Sequence, residues 1–416
     1  MLNMNNRLID MELNKYISRH NYYSFIWHAI FLALAINFMD VDTIIPSMMV
    51  DAGGSSFQLG ILMAIMVGGS KFAQIFFAPF LNNQSSKKNY LLGGINARIF
   101  ALIGMALLFI FSSNISESLT IWAIFILISL FSFSGAFANI NYVDILGKSV
   151  LPDKRKAFFS MKQVLSSVFV FLSAFLAKRV LTAYGYPANY AILFSLAAIL
   201  LSIASFGFWR IVEIPVQNNR IDGILPFINT VIHEIRTNKK LKYYLLLINT
   251  QEIIMILMPF LILYAKQIFS ATSEDIGNFL VLKVIGGVLI GSLLFYYSRK
   301  IKYQIMLYLS SIIAVLIPLS IIIFPGSTLF PFIFLPGGIV FTIHYISISG
   351  ILLEVTTNEN RALYTGLSGA GSIFPVMFPF AGGWIVTKFG FNSFFFLFIA
   401  IILISFYFIY KIECKK

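Results

Sequence analysis

The chain has 416 residues, is 59% hydrophobic and 11% charged, and carries a net charge of +13. A water-soluble domain is about 45–50% apolar and about 25% charged, so this composition excludes a soluble fold and makes the bilayer part of the solvent. The excess Lys and Arg fall in short segments between apolar runs, not on one basic face, which argues against nucleic acid as a partner; the single cysteine, Cys414, leaves no internal disulfide and no thiolate metal cluster.

Residues 1–23 carry both signs of charge, and the apolar run that follows is too long for a signal-peptide core. They read as a cytoplasmic lead-in. A helix needs about 20 apolar residues to cross about 30 Å of hydrocarbon. Runs of that size lie near residues 24–49, 57–81, 90–112, 118–143, 157–180, 188–212, 242–265, 275–297, 303–324, 328–352, 362–387 and 391–411. Span one holds His28, Asn37, Asp40 and Asp42, and span two holds Lys71. Asn37 and Asp40 are three apart and share a helix face, whereas Asp42, about 200° around a regular helix from Asp40, is expected to face elsewhere. Arg98 in span three and Lys162 in span five are expected to snorkel to the inner surface, and His28 to be an interfacial residue. Asn139, Asn141 and Tyr142 lie near the inner end of span four. Residues 213–241 form the one long separator, followed by Asn249 and Glu252 in span seven, Lys283 in span eight, and His344 and Tyr345 in span ten.

Lys and Arg mark the cytoplasmic side. With the N-terminus inside, 22 of the 30 basic residues fall in inner segments, 4 in outer segments and 4 within spans. The expectation is a multi-pass protein of the plasma (inner) membrane with both termini cytoplasmic.

The halves match at an offset of 212: Asn37 with Asn249, Asp40 with Glu252, Lys71 with Lys283, and Lys87-Lys88 with Arg299-Lys300. Arg155 and Arg361 open spans five and eleven, and Pro46 and Pro259 are read as ending the buried stretches of spans one and seven. The expected fold is all-α, about twelve spans in two parallel six-helix repeats: a bundle at 24–212, a linker at 213–241, a bundle at 242–411 and a tail at 412–416. Parallel repeats place their site between the halves near the midplane.

Ionisable groups inside a membrane are expensive and are candidates for function. Asp40 lies about nine residues, or about 13 Å, from the outer surface, and Lys71 about 21 Å. Equal spacings of 31 residues suggest two matched ion pairs, Asp40–Lys71 and Glu252–Lys283. Such pairs either lock helix packing or handle substrate and protons, and Asn37 and Asn249 either add amides to that cavity or bond between helices.

The loop Ala78-Pro79-Phe80-Leu81-Asn82-Asn83-Gln84-Ser85-Ser86-Lys87 aligns with the Gly-x-Leu-Ala-Asp-Arg-x-Gly-Arg-Lys loop of the major facilitator superfamily. Its basic end is kept, but Asn82 replaces the acid and the glycines are gone. Leu151-Pro152-Asp153-Lys154-Arg155, and Ala381-Gly382-Gly383 after Pro375 and Pro379, also resemble that family, over nearly the whole chain. Span five lacks the Gly-Pro signature of its drug–proton antiporters. The resemblance implies that spans one, four, seven and ten line a cavity, bringing in Asn139, Asn141, Tyr142, His344 and Tyr345, and that Lys87, Arg155 and Arg361 take part in gating.

No P-loop, His/Cys ligand cluster or Gly-x-Ser-x-Gly is present in the sequence, so neither an enzyme nor a cofactor or metal is expected. The expected function is secondary transport of a small organic solute by alternating access, coupled to an ion such as H⁺, by a monomer among membrane lipids. Proton-coupled efflux of amphipathic drugs, and a transporter-like sensor or assembly factor without flux, are the alternatives.

Overall fold

The structure is a computed structural model of the chain and describes residues 13–214, 237–297, 301–326, 328–355, 369 and 371–412. Among these residues the fold is helical, without strands. In chain order the helices are α1 (Lys15–Ile36), α2 (Ile44–Asp51), α3 (Ser56–Asn82), α4 (Lys88–Ile110), α5 (Glu117–Ser149), α6 (Pro152–Ala183) and α7 (Ala188–Arg210), then α8 (Lys239–Gln251), α9 (Ile254–Phe269), α10 (Ser273–Tyr297), α11 (Tyr303–Ile323), α12 (Phe334–Val355) and α13 (Ile373–Lys411). Ten stretches of the described residues are long and apolar enough to cross a membrane. Local chemistry sets several of the boundaries. Asn14 accepts from the Ile17 N–H, Ser116 from the Leu119 N–H, and Asn238 from the N–H groups of Lys240 and Leu241, each satisfying orphan donors of a first turn.

Two compact units result. The first comprises Met1–Met39, Phe72–Ser173 and Pro187–Phe227. Its core joins Phe25 of α1, Leu91 and Ile95 of α4, Ala138 and Ile145 of α5, Phe158 of α6 and Phe208 of α7, all buried. The second comprises Asp40–Lys71, Ala174–Tyr186 and Ile228–Lys416. There Leu241, Tyr244 and Ile248 of α8 pack with Leu307 of α11, Ile351 of α12 and Ile409 of α13. Gly338 of α12 lies so close to the Lys283 carbonyl of α10 that a Cβ would overlap it; small residues permit this close approach.

Two corresponding stretches interrupt their helices. Between α1 and α2 the chain makes a 3₁₀ turn at Asn37–Met39 and a further turn at 41–43. Between α8 and α9, residues 252–253 form a tight turn in which the Met255 N–H bonds the Glu252 carbonyl at 3.1 Å. The prolines do not end these stretches. Pro46 is the third residue of α2, where a missing N–H costs little, and Pro259 is buried inside α9, which continues to Phe269. Farther on, Gly390 breaks the regular conformation of the 39-residue α13 at φ 79°, ψ 174°, a backbone region essentially reserved for glycine.

Candidate functional site

Charged side chains collect at the two interruptions of the second unit. Asp40 has a short acceptor that competes with helix formation by bonding nearby N–H groups. Its Oδ1 accepts from the backbone of Asp42 at 3.1 Å, and from the backbone and hydroxyl of Thr43 at 2.9 Å each. Its Oδ2 accepts from Lys283 Nζ of α10 at 2.6 Å, and the same ammonium donates to Asp42 at 2.7 Å. At the other interruption Lys71 of α3 bonds Glu252. A third pair joins Lys266 near the end of α9 to Asp51 at the end of α2, at 2.8 Å. The seven side chains are only 8–20% exposed.

This arrangement corrects two expectations. Lys71 does not pair with Asp40, nor Lys283 with Glu252; Lys71 pairs with Glu252, and Lys283 with Asp40 and Asp42. A spacing of 31 residues fixes depth along the membrane normal but not which helix lies alongside. Asp42 does not face away from Asp40. The 3₁₀ and turn residues abolish the 100° per residue of a helix, so both carboxylates converge on Lys283. Asp51 and Lys266 were missed because they read as hydrated outer ends, and only their opposite charges could have linked them.

The two asparagines serve packing in corresponding ways. Asn37 donates to the Val170 carbonyl and to Ser173 Oγ of α6, at 2.5 and 2.9 Å. Asn249 donates to the Leu245 and Gly371 carbonyls at 2.8 and 2.6 Å and accepts from the Phe374 N–H of α13 at 2.9 Å. Gln251, which sequence reasoning passed over, is fully buried and donates to Ser311 at 2.5 Å and Ser405 at 3.0 Å. His344 is buried, its Nδ1 unpartnered among the described residues, and lies within electrostatic range of Lys71. Tyr345, one residue on, is 70% exposed and is not brought to the ion pairs.

In the first unit the expected gating residues have specific partners. Lys87 Nζ is buried against Asp144 at 3.1 Å, and Asp144 also pairs with Lys148 at 2.7 Å. Glu213 accepts from the N–H groups of Lys87 and Lys88 at 2.6 and 2.8 Å, a carboxylate at the positive end of α4. Arg155 donates to the Val150 carbonyl at 3.0 Å and to that of Gly147, so it caps the end of α5. Arg361 lies outside the described residues. Asn141 is fully buried, donates to Phe137 of its own helix at 2.8 Å, and leaves Oδ1 unpartnered. His28 is buried in place of being interfacial, bonded to the Ala204 carbonyl at 3.3 Å and stacked on Phe208. The Arg98 guanidinium sits 4.1 Å over the Phe131 ring. Among the described residues no group of His, Cys, Asp and Glu could hold a metal.

The Major Facilitator Superfamily model matches residues 26–369. No curated protein sequence matches the chain. Similar folds occur in a variant of the nucleoside transporter NupG, at 14% identity over 94% of this chain and 99% of that one with a TM-score of 0.69. They occur also in a POT family transporter in complex with 5-aminolevulinic acid, at 12% identity over 95% and 96% of the two chains and a TM-score of 0.69. The xylose transporter XylE from E. coli, in its inward open conformation, gives 12% identity over 95% and 97% and a TM-score of 0.68. At these identities the likeness is one of fold. With apolar helices throughout and a family match over most of its length, the chain is a multi-pass membrane protein that belongs to the major facilitator superfamily.

Proposed function

We propose that the protein is a secondary active transporter that moves a small organic solute by alternating access, coupled to protons, with the exchanged ion pairs as its charge-handling elements. The observation that carries the proton is the cluster of Asp40, Asp42 and Lys283: two buried carboxylates share one ammonium. Like charges at close range in a low dielectric cannot both ionise freely. Asp40 is held by three further hydrogen bonds, while Asp42 Oδ2 has Lys283 as its one charged partner. Asp42 is therefore the carboxylate that takes up a proton. Protonation would leave a neutral Asp40–Lys283 pair beside the neutral Lys71–Glu252 pair, and deprotonation would restore one negative charge. A helix interruption is where such a change can be turned into movement, because few backbone bonds resist it.

The proposed architecture is twelve spans in two parallel repeats, 24–212 and 242–411, with both termini cytoplasmic. Supporting the count, α3 has 27 residues, or about 40 Å of helix, and the 39 residues of α13 are about 58 Å, twice a membrane span, with Gly390 as the corner. Supporting the repeat, Asn37 braces the first interruption against α6, and Asn249 braces the second against the start of α13, the corresponding spans five and eleven.

The test is proton movement in sealed proteoliposomes, read by an internal pH dye as solutes from a metabolite and drug panel are added. At least one solute should move protons through the unaltered chain and none through Asp42→Asn. Outward pumping of amphipathic drugs would select efflux. Absence of any flux, with solute binding retained, would leave the sensor reading.

A further inference from the structure

The first unit holds two cations within its membrane helices that no acid neutralises among the described residues. Arg98 is ten residues from the start of α4, and Lys162 ten residues from the start of α6. Both helices start on the same side of the membrane, since α5 crosses once between them. Counted from the apolar spans that begin near residues 90 and 157, Arg98 lies about 12 Å and Lys162 about 8 Å inside a core about 30 Å thick. Neither forms an ion pair among the described residues. A guanidinium has five N–H donors. Arg98 donates none of them to a described residue, its Nε is buried and unpartnered, and it lies over Phe131 and against Gly135 of α5. Lys162 Nζ reaches only the Tyr142 hydroxyl, at 3.4 Å. Both charges act on the same buried imidazole, His28, whose ring lies 6.2 Å from that of Tyr142.

A cation at this depth costs several kcal/mol unless something compensates it. Cation–π contact with Phe131 offsets only part of that cost. We infer that Arg98 and Lys162, with the Tyr142 hydroxyl, form a binding site for the anionic group of a small organic solute inside the first unit. The group is a carboxylate or phosphate, which a guanidinium binds through paired N–H donors, and the rings of Phe131, Tyr142 and His28 suit an apolar or aromatic body. A lipid phosphate could offer the same oxygens, but it sits at the membrane edge, about 12 Å from Arg98 and about 8 Å from Lys162, and the vesicle arm of the experiment separates the two sources. The inference rests on the transport reading for the identity of this anion as cargo; binding itself does not require flux.

The experiment uses the purified full-length chain in detergent at constant ionic strength, with benzoate, phenyl phosphate, succinate and inorganic phosphate as probes, and benzyl alcohol and benzylamine as neutral and cationic controls. Benzoate or phenyl phosphate should bind at least tenfold more tightly than either control. The same anion should protect Lys162 of the unaltered chain from amine acylation, read by mass spectrometry, so the test does not depend on a variant that folds. Arg98→Gln and Lys162→Gln should each weaken anion binding at least tenfold. The inference is overturned if no anion protects Lys162, if only phosphatidylglycerol vesicles do, or if both variants bind as the unaltered chain does. Anion binding without flux would instead contradict the transport reading, and flux without anion binding would contradict this site alone.

Discussion

The two units treat buried charge in opposite ways. In the second, Lys71, Lys266 and Lys283 each have an acid within 3 Å, and one carboxylate is left over. In the first, Arg98 and Lys162 have none among the described residues, and Asp144 is engaged by Lys87 and Lys148 at the end of α5. Where both signs are built into the protein, the membrane interior is close to neutral and a single proton changes its balance. Where a buried cation has no acid among the described residues, an anion from outside the chain can supply the opposite sign. The second unit thus reads as the place where a proton is counted, and the first as the place where an anion is met.

The sharpest way to break this comparison is to remove the shared lysine. Lys283→Ala orphans two carboxylates, and each uncompensated buried charge costs about 3–5 kcal/mol. This variant should be the least stable of the set, with most of its folded yield lost in a detergent thermal melt. Lys71→Ala orphans only Glu252 and should cost about 3–5 kcal/mol; adding Glu252→Gln should restore much of that loss, and adding Asp40→Asn should restore none. Asp42→Asn removes the surplus acid without orphaning a cation, so its melting temperature should stay near that of the unaltered chain while proton-linked flux disappears. The smallest effect belongs to Tyr345→Phe, whose hydroxyl meets no described partner; stability and flux should both be unchanged.

Much of the fold was legible because the bilayer imposes a length on every helix. Apolar runs and their separators mark the ten stretches long and apolar enough to cross a membrane, and the 212-residue offset aligns Asn37 with Asn249 and Asp40 with Glu252 in the sequence. The structure shows helix interruptions near both Asn37 and Asn249. The partners of the charges were not legible. Depth can be read from spacing, but which helix lies alongside depends on tertiary packing, and so the lysines were assigned to the wrong acids. Asp42 was misplaced for a different reason: helical periodicity was applied across a stretch that is not helical. Arg98 was expected at the inner surface because snorkelling lowers the cost of a buried cation, an argument that could not anticipate Phe131 under its guanidinium.

The exchanged pairing is the claim on which the charge account stands, and a pair of double-mutant cycles tests it most directly. Thermal stability would be measured for Lys71→Ala, Glu252→Gln and Asp40→Asn, and for the two double variants that contain Lys71→Ala. The account predicts a coupling energy of about 2 kcal/mol or more between Lys71 and Glu252, and additivity within about 0.5 kcal/mol between Lys71 and Asp40. Strong coupling of Lys71 to Asp40, with Glu252 additive, would contradict it.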